Sequence, residues 1–136
     1  MITVGPPGLA IQLCVSDGSA GRVWYQRLLG RPPDFTPSGN DTSCEWIFQP
    51  GNWAIHVVQK DEPAPRRAPV RLGVEDIHAA RDQVLGLGVN PDDIEELPGV
   101  VRKLNFTDPW GNRLGLYEDL SRCRRTPAAA IDRQLS

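Results

Sequence analysis

The chain has 136 residues, of which 40% are hydrophobic and 24% are charged, and its formal net charge is -2 at neutral pH. This composition is typical of one globular domain with a core, and the slightly acidic balance disfavours nucleic acid as the main partner. The sequence has no apolar run of membrane-spanning length and no signal-peptide pattern, so we expect a cytoplasmic protein without a membrane partner.

The first half of the chain contains a strand, a helix and then two further strands. Alternating apolar residues predict the first strand, and Asp17 or Ser19 can cap the helix that follows. Proline-rich and charged residues predict a linker after the last of these elements. In chain order we expect a strand over 10–17, a helix ending at Gly30, a loop over 31–43, strands over 44–48 and 53–59, and a linker over 60–69.

The same order of elements returns in the second half. A strand begins at Val70, an amphipathic helix is capped by Asp76, and three short strands follow over 94–97, 100–106 and 113–118. Six residue pairs recur at a constant separation of 59 residues, which we call the repeat offset. They are Leu13 and Leu72, Val15 and Val74, Asp17 and Asp76, Ala20 and Ala79, Arg22 and Arg81, Leu28 and Leu87. Such duplication predicts two βαβββ modules.

The two modules are expected to form one domain over residues 1–120. Module one covers 8–60 and module two covers 68–120. The helices lie on the outer side of the sheet, and the opposite side forms a curved surface, which we call the inner face. The C-terminal tail over 121–136 has little apolar pattern, and we expect it to be mobile or a weakly docked helix.

Three segments, LCVSD…WYQRLLG, VRLGVEDIHAARDQVLGLGV and FTDPWGNRLGLYED, make the chain resemble the vicinal oxygen chelate superfamily. That superfamily includes glyoxalase I, extradiol dioxygenases and bleomycin-resistance proteins, and the resemblance covers residues 10–119. It implies an α+β fold in which two βαβββ modules form a curved mixed sheet, most often in a homodimer. It does not fix the function, because this fold hosts lyases, isomerases, dioxygenases and pure binding proteins.

The resemblance also implies a metal site with one ligand from each of four inner-face strand positions, usually His, Gln or Glu. By strand register these positions are Ala10, His56, Pro69 and Gly115. Three of them have no side-chain donor, whereas a catalytic zinc site normally needs three protein ligands. We therefore expect no metal and no other cofactor. A divalent metal would need Gln12, Asp108 or Glu118 as ligands. These residues would reach the ligand positions only if the strands had another register.

His56 is the one residue at these positions that could take part in chemistry. Its register has two possibilities, because aligning Gly51-Asn52 with Gly111-Asn112 would place Ile55 on the inner face instead. The repeat offset relates His56 to Gly115 and favours His56. There His56 could act as a general base, since histidine titrates near neutral pH. Alternatively it could form a hydrogen bond to Gln12 or Tyr117 without any chemistry.

The rest of the predicted inner face combines small and polar side chains, as small-molecule pockets do. Arginines there could bind a carboxylate or a phosphate, or form salt bridges with Glu75 or Glu118. Tryptophans beside the QPGN turn could stack on a planar ligand, or pack in the core. The candidate ligand-binding residues are Gln12, Trp46, Trp53, His56, Arg71, Arg113 and Tyr117.

These observations predict a small-molecule binding protein that works without a metal. It would sequester or recognise an aromatic or conjugated metabolite or antibiotic. The alternative is an enzyme, a lyase or dioxygenase of the same superfamily, which uses either a metal or His56 alone. A third possibility is a dimeric accessory or regulatory module whose pocket is empty.

Overall fold

A computed structural model describes residues 1–3, 5, 8–37 and 42–121 of the chain. Within these residues it contains two helices and seven strands, and their ends lie within one or two residues of the predicted ones. The predicted tail lies outside the described residues from residue 122 onward. The elements are β1 (Leu9–Val15), α1 (Gly18–Leu29), β2 (Ser43–Phe48), β3 (Trp53–Gln59), β4 (Val70–Gly73), α2 (Ile77–Gly86), β5 (Glu95–Leu97), β6 (Val101–Thr107) and β7 (Arg113–Asp119).

Side chains and a glycine set the ends of the helices. The Asp17 carboxylate accepts a hydrogen bond from the Ala20 amide at 3.1 Å and begins α1. Gly30 ends α1 in the left-handed region, with φ of 75°, which glycine adopts without steric cost. In module two the Asp76 carboxylate accepts from the amides of His78 and Ala79 and begins α2. The predicted caps are confirmed, with Asp17 rather than Ser19 at the first helix.

The strands form two mixed sheets, with the orders β1-β3-β2 and β4-β7-β6-β5. In each sheet the first strand of the module runs parallel to the last, and the other pairs are antiparallel. Module one has a single antiparallel bridge, between Phe35 and Glu45, where module two has the strand β5. The α+β fold with two βαβββ modules is therefore confirmed. The predicted curved sheet is divided in two, because the described residues of β1 and β4 pair only with β3 and β7.

The register of the strands preserves the repeat offset. Gln12 on β1 lies opposite His56 on β3, and Arg71 on β4 lies opposite Gly115 on β7. His56 therefore occupies the position in module one that Gly115 occupies in module two. Because side chains alternate along a strand, Ile55 faces the helices and His56 lies on the inner face. The alternative register, with Ile55 on the inner face, is wrong.

The helix-facing sides of both sheets and the inward sides of both helices share one hydrophobic core. Its fully buried members include the largest apolar side chains of each module: Leu13, Val15, Tyr25, Trp46, Ile55, Val57, Ile77, Phe106 and Leu114. Neither described helix is long and apolar enough to cross a membrane.

A buried polar network joins the two modules at the DPWGN turn. The Tyr25 hydroxyl on α1 donates to Asp108 Oδ2 at 2.5 Å, and Asn112 Nδ2 donates to the Cys14 carbonyl at 2.8 Å. Asp108 also accepts from the amides of Trp110 and Asn112, and from the Asn112 side chain. Burial, and next the Asp108 charge, raise the pKa of Tyr25 well above its usual value, so the phenol stays protonated. This network fixes the arrangement of one module against the other.

Candidate functional site

Four of the predicted site residues lie on the inner face, two in each module. Gln12 and His56 lie side by side in module one, and Arg71 and Tyr117 lie on β4 and β7 of module two. Strand alternation puts all four on the side of the sheets opposite the helices. The inner face is thus polar and open to solvent, with Gln12 and Arg71 exposed and His56 and Tyr117 half-buried.

His56 lies between two polar residues on the neighbouring strands. Gln12 on β1 and Glu45 on β2 are its partners in register. The Gln12 amide points to Cys14, at 3.9 Å from its sulfur. The alternative prediction, a hydrogen bond from His56 to Gln12 or Tyr117, is wrong, because His56 forms no hydrogen bond within the described part of the chain. Its imidazole is therefore available to a ligand.

Gly115 leaves room for two side chains that cross the inner face. A Cβ atom at this position would lie 2.7 Å from Asn105 Oδ1 and 3.0 Å from Arg71 Cγ. The glycine in the middle of β7 is thus explained by the close approach of the Asn105 amide and the Arg71 stem. Asn105 Oδ1 is buried and has no hydrogen-bond partner among the described residues.

The residues present do not fit the metal site that the resemblance implies. Ala10, Pro69 and Gly115 carry no donor, and the space above Gly115 is taken by Asn105 and Arg71. Within residues 8–37 and 42–121, no group of three or more His, Cys, Asp or Glu side chains could hold a metal ion. His56 alone is too small a donor set for a divalent cation.

We expect that zinc, nickel, manganese and ferrous iron leave the melting temperature of the protein unchanged. A specific site at 100 times its Kd would stabilise the fold by about 2.7 kcal/mol, which a thermal shift measurement detects easily. Metal analysis of the purified protein should also find substoichiometric amounts. A stoichiometric metal, or a thermal shift that His56→Ala abolishes, would contradict this expectation.

Arg71 and Tyr117 line a hollow of about 300 Å³ on the inner face of module two, which we call the Arg71 hollow. The Tyr117 ring packs on Gly73, where a Cβ atom would lie 3.2 Å from the ring carbon that bears the hydroxyl. Lys103 and Asp119 complete the polar wall, and Val100 and Val101 form its apolar part. Arg71 forms no ion pair with any described residue. Its guanidinium can therefore receive an anionic group.

A second, wider hollow of about 540 Å³ lies beside β1. Arg66 and Arg67 of the linker line it together with Gln12, Cys14 and Asn112. These two arginines also have no acidic partner in the part of the chain that the structure describes. The inner face therefore presents three guanidinium groups that are not neutralised by described residues.

Arg113 is not available to a ligand in the way that was predicted. Its guanidinium forms an ion pair with Asp92 and donates to Thr107 Oγ1 at 3.0 Å. Glu118, one of its expected partners, instead pairs with Arg102 at 2.9 Å. Arg113 thus holds the segment before β5 against β7, and we remove it from the candidate site.

Trp46 and Trp53 do not lie on the inner face, so the prediction that they stack on a ligand there is wrong. Trp46 lies opposite Ile55 and is fully buried, and its indole nitrogen donates to the Arg31 carbonyl at 2.9 Å. Trp53 shares the helix-facing side of β3 with Ile55 and stacks on Phe48, with ring centroids 4.0 Å apart. Both rings are therefore separated from His56 by the sheet.

Four inner-face residues were missed by the sequence analysis. Asn105 and Lys103 lie on β6, whose period-2 pattern could have placed them on the same face as Tyr117. Arg66 and Arg67 lie in a linker, and no local pattern assigns a linker to one face of a sheet.

Two duplicated βαβββ modules with a polar inner face define a protein of the vicinal oxygen chelate superfamily. The chain belongs to the family described as glyoxalase-like domain, whose model matches residues 10–117. No curated protein matches the chain significantly in sequence.

Solved structures support the same family. A glyoxalase/bleomycin resistance protein from Catenulispora acidiphila DSM 44928 is 30% identical, with a TM-score of 0.66 over 81% of this chain and 96% of that one. A member of the glyoxalase/bleomycin resistance protein/dioxygenase superfamily from Sphaerobacter thermophilus DSM 20745 is 20% identical, with a TM-score of 0.66 over 88% and 98%. A lactoylglutathione lyase from Agrobacterium tumefaciens is 14% identical, with a TM-score of 0.61 over 83% and 93%. The last two show the fold alone.

Proposed function

We propose that this protein binds a small conjugated organic acid on its inner face, without a metal. The observation that carries the proposal is the set of three guanidinium groups, of Arg66, Arg67 and Arg71, that have no acidic partner among the described residues. A carboxylate suits a guanidinium group, because two parallel hydrogen bonds can form between them.

The Arg71 hollow supports the position of the ligand. The Arg71 stem passes close to Gly115, and the residue is exposed, so its guanidinium is accessible to a ligand from solvent. Tyr117 offers an aromatic ring in the same hollow, and Val100 and Val101 offer apolar surface to the conjugated part of the ligand. Gln12 lies in the second hollow, beside Arg66 and Arg67, and neither Gln12 nor its neighbour His56 is held by a strong hydrogen bond of its own.

The test is a ligand panel of aromatic carboxylates, each paired with its uncharged amide: benzoate with benzamide, cinnamate with cinnamamide, and naphthoate with naphthamide. Binding is measured by isothermal titration and by thermal shift, because the tryptophans lie on the other side of the sheet and report this site poorly. We expect at least one acid to bind and its amide to bind at least tenfold more weakly. Arg71→Ala should weaken binding of the acid by about tenfold or more, since a hydrogen bond to a charged group contributes about 1.5–3 kcal/mol.

Arg102→Ala is the matched control, because Arg102 is paired with Glu96 and Glu118 on the opposite side of its strand. It should leave the affinity for the acid unchanged. Binding that does not distinguish acids from amides, or that survives Arg71→Ala, Arg66→Ala and Arg67→Ala alike, would remove the proposal. Conversion of a bound acid to a product, lost in His56→Ala, would favour the enzyme alternative instead. The homodimer implied by the resemblance remains a prediction.

A further inference from the structure

A cavity of about 220 Å³ lies on the helix side of the sheets, away from the inner face. Both modules contribute to its wall, and none of the lining residues is charged. Its main lining residues are Leu28, Phe48, Trp53, Leu72, Gln83 and Val84. The cavity is thus uncharged, mostly apolar and formed by both modules.

The duplication explains why this cavity exists. At the repeat offset, Gln83 and Val84 on α2 correspond to Trp24 and Tyr25 on α1. Trp24 and Tyr25 are buried and pack edge to face, with ring centroids 4.8 Å apart. Module one therefore places two aromatic rings at the positions where module two places an amide and an isopropyl group. Gln83 and Val84 both line the cavity, so the smaller side chains of α2 leave this space open.

The cavity wall offers a flat aromatic surface. Phe48 and Trp53 stack with an interplanar angle of 10°, and both rings are only partly buried. Arg31 lies over the Phe48 ring, 5.1 Å from its centroid, so a ligand ring would extend the stack on the Trp53 side. Gln83 is exposed at the mouth, and its amide forms no hydrogen bond with a described residue. It can therefore meet one polar group of a ligand.

We infer that this cavity is a second binding site, for a small uncharged molecule built on a single aromatic ring. A charged ligand is disfavoured, because the wall has no group to compensate the cost of desolvating a charge. The size is suitable, since an apolar cavity of about 150 Å³ is known to hold benzene. This site is independent of the proposed binding of an acid on the inner face.

The test uses p-cresol, which is uncharged at neutral pH, and follows its binding by isothermal titration and by protein NMR shifts. We expect saturable binding with a Kd below about 1 mM, which corresponds to about 4.1 kcal/mol. Gln83→Trp copies the residue of module one into the cavity and should weaken this binding at least tenfold, without lowering the stability to urea. Trp53→Ala removes the stacking surface and should weaken it about threefold to tenfold.

The controls separate this site from the inner face. Gln83→Ala keeps the cavity open and should weaken p-cresol binding by less than Gln83→Trp does, because loss of one neutral hydrogen bond commonly weakens binding by about twofold to tenfold. Arg71→Ala should leave p-cresol binding unchanged, and Gln83→Trp should leave the binding of aromatic acids unchanged. The inference is overturned by the absence of saturable p-cresol binding. It is also overturned by a folded Gln83→Trp protein with unchanged affinity, or by light scattering that shows a dimer which Gln83→Trp dissociates.

Discussion

Replacing Asp108 by alanine is expected to lower the free energy of unfolding by about 3–5 kcal/mol, because each buried donor left without an acceptor costs about 1–3 kcal/mol. Asp108 is only 4% exposed and accepts hydrogen bonds from Tyr25, from the Trp110 amide and from both the amide and the side chain of Asn112. Its loss would leave the Tyr25 hydroxyl buried without a partner. Urea unfolding of the two proteins at neutral pH measures the difference.

Asp34→Ala is the matched control for a carboxylate. Asp34 also accepts a backbone hydrogen bond, from the Ile47 amide at 2.7 Å, and pairs with Arg31, but it lies at the surface. Water replaces its contacts when it is removed, so the loss of stability should be clearly smaller than for Asp108→Ala. Equal losses of stability in the two variants would show that the buried network stabilises the fold no more than a surface carboxylate does.

Tyr25 adds a pH-dependent readout of the same network. Its pKa is raised in the folded state, first by burial and then by the Asp108 charge, so the folded protein disfavours the phenolate. The stabilisation is fully present below the unfolded pKa of about 10 and is lost as the pH rises above it, by up to about 1.4 kcal/mol per pH unit. Tyr25→Phe should be less stable at neutral pH and should show a shallower decline above pH 10. If the stability of the wild type and of Tyr25→Phe declined with the same slope above pH 10, the decline would come from another titrating group.

Trp46→Ala is expected to lower the free energy of unfolding by about 3–5 kcal/mol, as truncation of a buried aromatic residue does. The Trp46 side chain is fully buried, and its indole donates a hydrogen bond to the Arg31 carbonyl. Trp53→Ala should cost clearly less, because the Trp53 ring is half-buried and already borders a cavity. Chemical denaturation of both variants tests this ranking. A larger loss of stability for Trp53→Ala would show that Trp53 contributes more to the core than Trp46 does.

The sequence was sufficient to predict the modules, because the duplication constrains two halves at once. The repeat offset survives in the strand pairing, which places Gln12 opposite His56 and Arg71 opposite Gly115. The same alternation that placed His56 on the inner face could have placed Trp53 on the helix side. Trp46 was harder, because its face depends on how β2 pairs with β3, which is a non-local property.

The partners of the charged residues could not be predicted in this way. Arg113 pairs with Asp92, which lies 21 residues earlier in the chain, in the segment before β5. The approach of Asn105 to Gly115 depends on the antiparallel register of two neighbouring strands. Periodicity assigns a side chain to one face of an element, but it does not say which of several acids or amides will be nearest.

The link between Tyr25 and Asp108 makes the two modules non-interchangeable. Its two halves belong to different copies of the repeat, and at the repeat offset the counterparts are Val84 and Gln49. A protein assembled from two copies of module one would have the hydroxyl without the acid. One assembled from two copies of module two would bury a carboxylate against an isopropyl group, which is costly. Neither module can therefore reproduce this contact by pairing with a second copy of itself.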